Sequence, residues 1–378
     1  MLKVREKRIL LVLTAFDSTG GIQRFNRNVL KALSILKYES VDVISLNDAN
    51  HVSNLTSAQK KQSDNTNVDM TGFNRILRCD RSKLKFVTQV VELLLVNRYD
   101  IVVWGHINLL PLLLLVRFLN KSAKNVAFFH GIEVWGQIDR VKAFLINKLD
   151  LCLPVSTYTQ QSIQDQIKKL VPILRVFPNT LPVDWAIEDH NLIPFIYRDN
   201  DLLCVTRLDI TEREKGVVHI LHSMKDERLS NTKLIVVGDG NDRENLENEA
   251  RRLLLDERVS FVKEISDQQM KNLYRNSKVF VLPSKKEGFG IVYLEAMAYE
   301  TPVVACNEKG VRDVVINEKT GLTIDYGDVE NLASVLDKIL KCKIDIGSIT
   351  RSAKSLVSTG GVFTFERFTE RLKLALEI

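Results

Sequence analysis

Short apolar runs rich in β-branched residues alternate with amphipathic segments along most of this 378-residue chain. Runs this short predict strands that are buried on both faces, and the segments between them have helical spacing. A strand followed by a helix, repeated many times, is typical of a parallel sheet covered by helices. The sequence therefore predicts an α/β protein built on doubly wound parallel sheets.

The predicted strands form two series. The first contains Ile9–Leu13, Val41–Leu46, Ile101–Trp104, Val126–Phe129, Leu151–Val155 and Leu174–Phe177; the second contains Leu202–Thr206, Lys233–Val237, Val259–Val262, Val279–Leu282 and Val303–Ala305. Helices are predicted from Gly20 to near Leu36, up to about Val96, and at Val217–Lys225, Glu244–Leu255, Asp267–Asn276, Val329–Leu340 and Phe363–Leu376.

Prolines at 178, 182 and 194 mark a stretch with little periodicity between the two series. A chain of this length favours two hydrophobic cores over one. We therefore predict a Rossmann-like domain in residues 1–185, completed by a C-terminal helix at 363–378, and a second Rossmann-like domain in residues 186–362.

Three segments of the chain depart from the alternation of strands and helices or could be taken for targeting or membrane segments. Residues 47–72 are polar and predict a flexible insertion. The apolar run Leu109–Leu119 contains Pro111 and Arg117 and is much shorter than the ~20 residues of a membrane span, so it is either a core helix or an interfacial one. The basic, then apolar, N-terminus imitates a signal peptide but has no clear cleavage site, so it is interpreted as the first strand.

The charge is unevenly distributed. Residues 1–185 carry 25 Lys and Arg against 15 Asp and Glu, whereas the whole chain has a net charge of only +6. Such a basic half favours an anionic membrane surface or a phosphorylated lipid as partner, with ordinary charge scatter as the alternative. No basic motif interleaved with aromatic residues is present, which argues against nucleic acid. The five cysteines form no Cys-x-x-Cys, which fits a reducing cytoplasm.

The stretch Val279–Ala298 carries the clearest functional signal. A short strand ends at Pro283 and Ser284, a loop with Gly288 and Gly290 follows, and a helical pattern begins there. Such a turn directs unpaired backbone N–H groups and the positive end of a helix toward a ligand. Two carboxylates, Glu287 and Glu295, accompany it. This combination suits a ligand with hydroxyl groups at both ends and phosphates between them.

Glu287-Gly-Phe-Gly, followed by Leu-Glu295-Ala-Met-Ala, resembles the Glu-x7-Glu signature of the retaining glycosyltransferases of family 4. That resemblance implies the GT-B fold, in which two Rossmann-like domains face each other across a cleft. It also implies transfer of a hexosyl unit from a UDP-sugar or GDP-mannose to a glycan or lipid-linked acceptor, as in cell-surface polysaccharide or lipopolysaccharide synthesis. A nucleotide sugar is then a co-substrate, and no cofactor or metal is expected.

The resemblance assigns roles in the second half of the chain. Glu295 is expected to bind ribose hydroxyls and Glu287 the donor sugar. Arg207 and Lys215, in Arg207-Leu…Lys215-Gly216, resemble the family's diphosphate clamp with a longer spacing, and Arg213 competes for one of these roles. The remaining donor-binding residues implied are Gly238, Val262, Gly288, Phe289, Gly290 and Ile291. The family has Gly where Lys263 stands, so contact with the base there is an open question.

Further roles fall in the first half. Gly20 and Gly21 resemble the family's loop near the donor phosphates, and His130, before Gly131, resembles its catalytic element near the transferred sugar. Ser156 and Asn179 match family positions on the acceptor side. Arg24, one turn into the first helix, is also assigned to the acceptor side if it faces the cleft; the alternative is that it faces solvent. The one Asp-x-Asp, Asp199-Asn-Asp201, is interpreted as a solvated turn rather than a metal site.

Two alternatives remain open at this stage. One is a nucleotide-sugar epimerase or hydrolase of the same fold, and the other is a non-catalytic module that binds a glycan or nucleotide. A dinucleotide-dependent oxidoreductase is disfavoured, because neither half contains Gly-x-Gly-x-x-Gly. We expect the protein to act in the cytoplasm, with peripheral contact at the inner membrane face as a further hypothesis.

Overall fold

A computed structural model describes residues 5–49, 72–169, 171–182, 185, 192–263 and 265–377. The chain divides into two compact units, one formed by Met1–Thr180 with Phe365–Ile378 and the other by Leu181–Thr364. Residues 50–71 of the predicted polar insertion, and residues 183, 184 and 186–191 of the predicted linker, lie outside the described residues.

The described strands of each unit form one parallel sheet. The first sheet contains β1 Arg5–Leu13, β2 Tyr38–Ser45, β3 Arg75–Arg78, β4 Ile101–Trp104, β5 Lys124–Phe129, β6 Leu151–Pro154 and β7 Ile173–Leu174; the second contains β8 Asn200–Val205, β9 Leu234–Val237, β10 Val259–Val262, β11 Ser277–Leu282, β12 Val303–Cys306 and β13 Leu322–Ile324. Their orders are β3-β2-β1-β4-β5-β6-β7 and β10-β9-β8-β11-β12-β13.

The α-helices lie between and after these strands. In chain order they are α1 Gly21–Leu36, α2 Lys83–Val96, α3 Leu113–Leu119, α4 Ile132–Trp135, α5 Arg140–Ile146, α6 Thr157–Gln166, α7 Val217–Ser223, α8 Arg243–Arg252, α9 Asp267–Asn276, α10 Ile291–Ala298, α11 Val329–Leu340, α12 Ile346–Ser355 and α13 Phe365–Leu376. In the described part of the chain, every helix is too short or too polar to cross a bilayer.

Both faces of the first sheet are buried, which explains its continuous apolar strands. On β5, Phe129 belongs to a core cluster that includes Phe86 of α2. Its neighbour Phe128 points to the other face, where its ring centre lies 4.8 Å from that of Phe25 on α1. Successive strand residues thus contribute to two helical layers.

The two halves confirm the predicted doubly wound α/β class, with some differences in detail. Strand β3 was not predicted, because it is an edge strand with exposed or half-buried residues and lacks an apolar run. Strand β13 was not predicted, and β7 is shorter than expected. Asp201 is not in a solvated turn: it lies on β8, and its carboxylate pairs with the Lys278 ammonium at 2.9 Å.

The apolar run Leu109–Leu119 forms helices that pack on the core, and its contact with a membrane interface stays a prediction. It contributes a 3₁₀ helix, Ile107–Leu112, and then α3. Leu110, Leu113 and Val116 are fully buried, whereas Leu114 and Phe118 are exposed. The segment therefore has one face in the core and one toward solvent.

Candidate functional site

The second sheet has a topological switch point between β8 and β11. From these neighbouring central strands the order runs outward in opposite directions, to β9 on one side and β12 on the other. Ligands of open parallel sheets bind beyond the carboxyl ends of the strands at such a point. The predicted residues Arg207 and Lys215 follow β8, and Glu287 follows β11.

Lys215 and Glu287 form an ion pair at this edge of the sheet. The Lys215 Nζ donates to Glu287 Oε2 at 2.6 Å and to the Lys286 carbonyl oxygen at 3.2 Å. The two side chains are only 14% and 17% exposed. Although 72 positions apart in the chain, the predicted phosphate-binding cation and the predicted sugar-binding carboxylate are therefore direct neighbours.

A third charged residue, Glu212, joins this group. Its Oε1 accepts a hydrogen bond from Arg207 Nη2, and its Oε2 lies 4.0 Å from Lys215 Nζ. Glu212 is 17% exposed, whereas Arg207 is 65% exposed. Glu212 was not among the predicted site residues, although it lies between the two predicted cations in the chain.

Arg213, the competing candidate for the clamp, is bound elsewhere. Its Nε and Nη2 donate to the two carboxylate oxygens of Asp242 at 2.8 and 2.7 Å. This bidentate pair lowers the pKa of Asp242, which is almost fully buried. The geometry therefore favours Arg207 over Arg213 for the clamp, because both donors of Arg213 are used by Asp242 whereas Arg207 has a single side-chain contact.

Glycine backbones shape the loop after β11. Gly290 caps α10 with φ of +84°, and a Cβ there would lie 2.3 Å from the Tyr293 ring. A Cβ on Gly310 would lie 2.0 Å from the Gly288 carbonyl oxygen. The segment Lys309–Asp313 therefore packs directly on the Glu287–Gly290 loop, and only glycine allows this close approach.

Glu295 lies on α10 and is 1% exposed. Its Oε2 accepts a hydrogen bond from the Tyr274 hydroxyl at 2.9 Å. Phe289 and Ile291 of the same stretch are buried, and the Phe289 ring packs edge-on against Phe363 at 5.3 Å between ring centres. These residues hold the loop in place around Glu287.

The turn after β9 contributes Gly238, whose backbone N–H donates to the Val262 carbonyl oxygen at 2.9 Å. Lys263, which stands where the resembled family has glycine, lies 3.8 Å from the Asp239 carboxylate. The ends of β9 and β10 therefore lie side by side at the same edge of the sheet as Arg207.

In the first unit, His130 follows β5 at the carboxyl edge. Its Nε2 lies 2.9 Å from the Gly105 carbonyl oxygen, and its ring stacks against His106 with 6.0 Å between ring centres. Burial lowers the pKa of His106, while the Glu133 carboxylate acts in the opposite direction. Two imidazoles, one of them not predicted, therefore lie together after β4 and β5.

The other predicted residues of this unit occupy loops and caps. Gly20 is the N-cap of α1, Gly21 is its first residue, and Arg24 lies half-buried one turn later. Ser156 is buried and caps α6 by accepting from Thr159 N–H at 3.2 Å. Asn179 accepts from Thr180 N–H at 2.8 Å. Their predicted contacts with donor and acceptor stay predictions.

Among the residues described, no group of three His, Cys, Asp or Glu side chains is arranged to hold a metal ion. Metal independence of the reaction is a separate matter and stays a prediction.

Two Rossmann-like units, the second with a paired cation and carboxylate at its switch point, define the class as α/β proteins of the GT-B fold. The crystal structure of Anabaena HepE in complex with UDP and glucose is similar to this chain, with a TM-score of 0.76 at 17% identity. The likeness covers 98% of this chain and 99% of the HepE chain. Sucrose-phosphate synthase from Thermosynechococcus elongatus has a TM-score of 0.76 at 19% identity, over 98% of both chains. At these identities the likeness concerns the fold.

Residues 189–355 match the family described as glycosyl transferases group 1. CapM of Staphylococcus aureus, a capsular polysaccharide biosynthesis glycosyltransferase, is 33% identical over 145 residues, which are 37% of each protein. A GDP-mannose-dependent mannosyltransferase of Mycolicibacterium smegmatis, which acts on phosphatidylinositol monomannoside, is 30% identical over 37% of this chain and 38% of its own. The matches thus span little more than a third of these relatives. Most of the second unit is therefore similar to the group 1 glycosyltransferases.

Proposed function

We propose that the protein is a retaining glycosyltransferase that moves a hexosyl unit from a UDP-sugar or GDP-mannose to a glycan or lipid-linked acceptor. The observation that carries this proposal is the Lys215–Glu287 ion pair at the switch point of the second sheet. In this proposal Lys215 is the fixed cation for the diphosphate, and the neighbouring Glu287 is the carboxylate for sugar hydroxyls.

The electrostatics of the pair suit this reaction. As the sugar leaves, negative charge grows on the diphosphate, and a cation already held in a partly dry site stabilises that charge without reorganising. Lys215 is held by Glu287, while Arg207 is mostly exposed, and in this proposal it turns from Glu212 toward a phosphate when the donor binds. Two cations of different mobility then serve one diphosphate.

The nature of the relatives supports the donor and acceptor classes. One is named for capsular polysaccharide biosynthesis, and another for GDP-mannose and a phosphatidylinositol acceptor. We accordingly propose a role in cell-surface glycan synthesis, carried out in the cytoplasm on a glycan or lipid-linked acceptor.

Retention and metal independence belong to the same proposal. Glu287 is engaged by Lys215, and the Glu295 carboxylate accepts from Tyr274, so we assign neither as a covalent nucleophile. Attack from the face of the leaving group, with the departing phosphate accepting the acceptor's proton, retains the configuration. Fixed cations replace the metal in this scheme.

A donor screen tests the proposal. The purified full chain is heated with UDP-glucose, UDP-GlcNAc, UDP-galactose or GDP-mannose, because a ligand that binds the native state raises the melting temperature. We expect one donor to stabilise the protein and to be consumed with a polysaccharide or lipid-linked acceptor, in the presence of EDTA, giving a product with retained anomeric configuration by NMR.

The same assay separates the alternatives. Stoichiometric consumption of donor without acceptor would indicate an epimerase or hydrolase, and binding without consumption would indicate a non-catalytic module. Activity that disappears with EDTA, or an inverted product, would contradict the mechanism while leaving the transferase class intact.

A further inference from the structure

Two helices of the first unit carry large apolar side chains that face solvent. On α3, Leu114 and Phe118 are 47% and 74% exposed; on α5, Val141 and Phe144 are 68% and 50% exposed. Each pair is spaced four or three residues apart, so its members share one helix face. Single exposed apolar residues are ordinary, but grouped ones mark interaction surfaces.

Lys148, which follows α5, contacts both helices and so joins these pairs into one surface. Arg117 of α3 donates from Nε and Nη2 to the carbonyl oxygen of Lys148, just beyond α5, at 3.2 and 2.6 Å. The Lys148 ammonium in turn lies 5.1 Å from the centre of the Phe144 ring. We define the apolar–basic face as Leu114, Arg117, Phe118, Val141, Phe144 and Lys148.

Basic residues outnumber acidic ones in the segment that carries this face. The segment 113–150 contains six Lys or Arg residues and three Asp or Glu residues. Asp150 pairs with Arg117 at 2.9 Å, and Asp139 caps α5 by accepting from Lys142 N–H at 2.8 Å. The face is therefore apolar, carries the Lys148 ammonium beside Phe144, and lies in a segment with net positive charge.

We infer that the apolar–basic face binds the surface of an anionic lipid bilayer. Phenylalanine and leucine side chains gain by entering the boundary between headgroups and acyl chains, while lysine and arginine hold their charged ends among the phosphates. A second copy of this chain fits less well, because a symmetric contact would oppose like charges.

This inference rests on the proposed function for its purpose, since a bilayer-bound enzyme meets a lipid-linked acceptor where the acceptor lies. It does not depend on the proposed function for its test. Vesicle binding requires neither donor nor turnover, so the two proposals can fail separately.

The test is co-sedimentation of the full chain with vesicles of phosphatidylcholine, with and without phosphatidylglycerol. We expect binding to the anionic vesicles that weakens with salt. Replacing both Phe118 and Phe144 with Ser should weaken it by about tenfold or more, and Lys148→Gln by about fivefold. The matched control is Leu254→Ser, because Leu254 is 80% exposed but lies in the second unit.

Equal binding by the double variant and the wild type would overturn the inference, as would equal binding to neutral vesicles. If light scattering shows a dimer that the double variant loses, the face joins two copies and the bilayer assignment is wrong. Since both phenylalanines are exposed, the variant should keep the wild-type melting temperature, which confirms that it is folded.

Discussion

At the scale of single residues, the site consists of charges that neutralise one another. Arg207, Glu212, Lys215 and Glu287 form a chain of alternating sign, in which each carboxylate lies beside a cation. Truncating one member leaves its partner without compensation in a partly buried place. Variants that keep shape and alter charge are therefore the most informative.

Lys215→Ala is expected to lower kcat by a factor of about 10²–10³, because it removes a fixed charge that stabilises the leaving diphosphate. Steady-state kinetics with the donor found in the screen measure this. Lys225→Ala, an exposed lysine of the same unit, is the matched control and should keep wild-type kcat. Wild-type turnover by Lys215→Ala would show that the clamp lies elsewhere.

Arg207→Ala and Arg213→Ala should behave differently. Arg207 has one contact, with Glu212, so its loss should lower kcat with little change in stability. Arg213 holds the nearly buried Asp242 through two hydrogen bonds, so its loss should lower the urea midpoint and leave kcat nearly unchanged. The reverse result would assign the second clamp cation to Arg213.

His106 should make stability depend on pH. Burial holds its pKa below the ordinary 6.5, partly opposed by Glu133 and reinforced by the charges of His130 and Lys142. As pH falls through 6.5, His106 becomes protonated in the unfolded chain but stays neutral in the folded chain. The free energy of unfolding that this difference contributes above pH 6.5 is therefore lost on acidification. Urea midpoints at pH 7.5 and 5.5 measure this change.

His106→Asn is the comparison, because His106 Nδ1 accepts from Asn108 N–H at 3.1 Å and asparagine can supply the same cap. The midpoint of this variant should fall less between the two pH values. Equal falls would mean that another group titrates.

At the scale of elements, the loop from β11 to α10 depends on backbone that only glycine adopts easily. Lys309–Asp313 packs against this loop through Gly310, and α10 begins at Gly290 in a left-handed conformation. The carboxylate of Glu287 is therefore positioned by its own turn and by a neighbouring segment.

Gly290→Ala is expected to lower the free energy of unfolding by about 1–3 kcal/mol, because alanine is strained at φ of +84° and its Cβ meets the Tyr293 ring. Urea unfolding and donor affinity should both report the change. Gly136→Ala is the control, since Gly136 has φ of −79° and open space around its Cβ. Equal stability of the two variants would contradict this account of the loop.

At the scale of the whole molecule, the last helix belongs to the unit that contains the first strand. Phe368 of α13 is fully buried, with its ring 5.7 Å from that of Phe25 and 4.9 Å from that of Phe177. The Lys7 ammonium also donates to the Leu376 carbonyl oxygen at 2.8 Å. Helix α13 therefore completes the hydrophobic core of the first unit, to which β1 also belongs.

Phe368→Ala should destabilise the first unit by about 3–5 kcal/mol, through lost burial and the cavity left among the aromatic rings. Unfolding followed by hydrogen exchange should show the loss in β1 and α1. Leu374→Ala on the same helix is the control, because Leu374 is 59% exposed. A similar effect of both substitutions would mean that helix propensity, rather than packing, dominates.

Local patterns account for much of what could be predicted. The α/β class followed from short apolar runs, and α9 and α11 have the predicted bounds because their apolar spacing and caps are local features. The edge strand β3 escaped prediction because an exposed edge needs no apolar run. The Glu287–Gly290 loop was found from its glycines, whose conformational role is visible in sequence.

The amino-acid sequence by itself determined the alternation of strands and helices, the glycine loop and the candidate charged residues. Only the tertiary structure decided that Glu212 lies between Arg207 and Lys215, that Gly310 approaches Gly288, and that Phe118 faces solvent while Phe368 does not. The physical reason is that periodicity and backbone preference act between near neighbours. Ion pairing, close approach and burial depend on residues that folding brings together from distant parts of the chain.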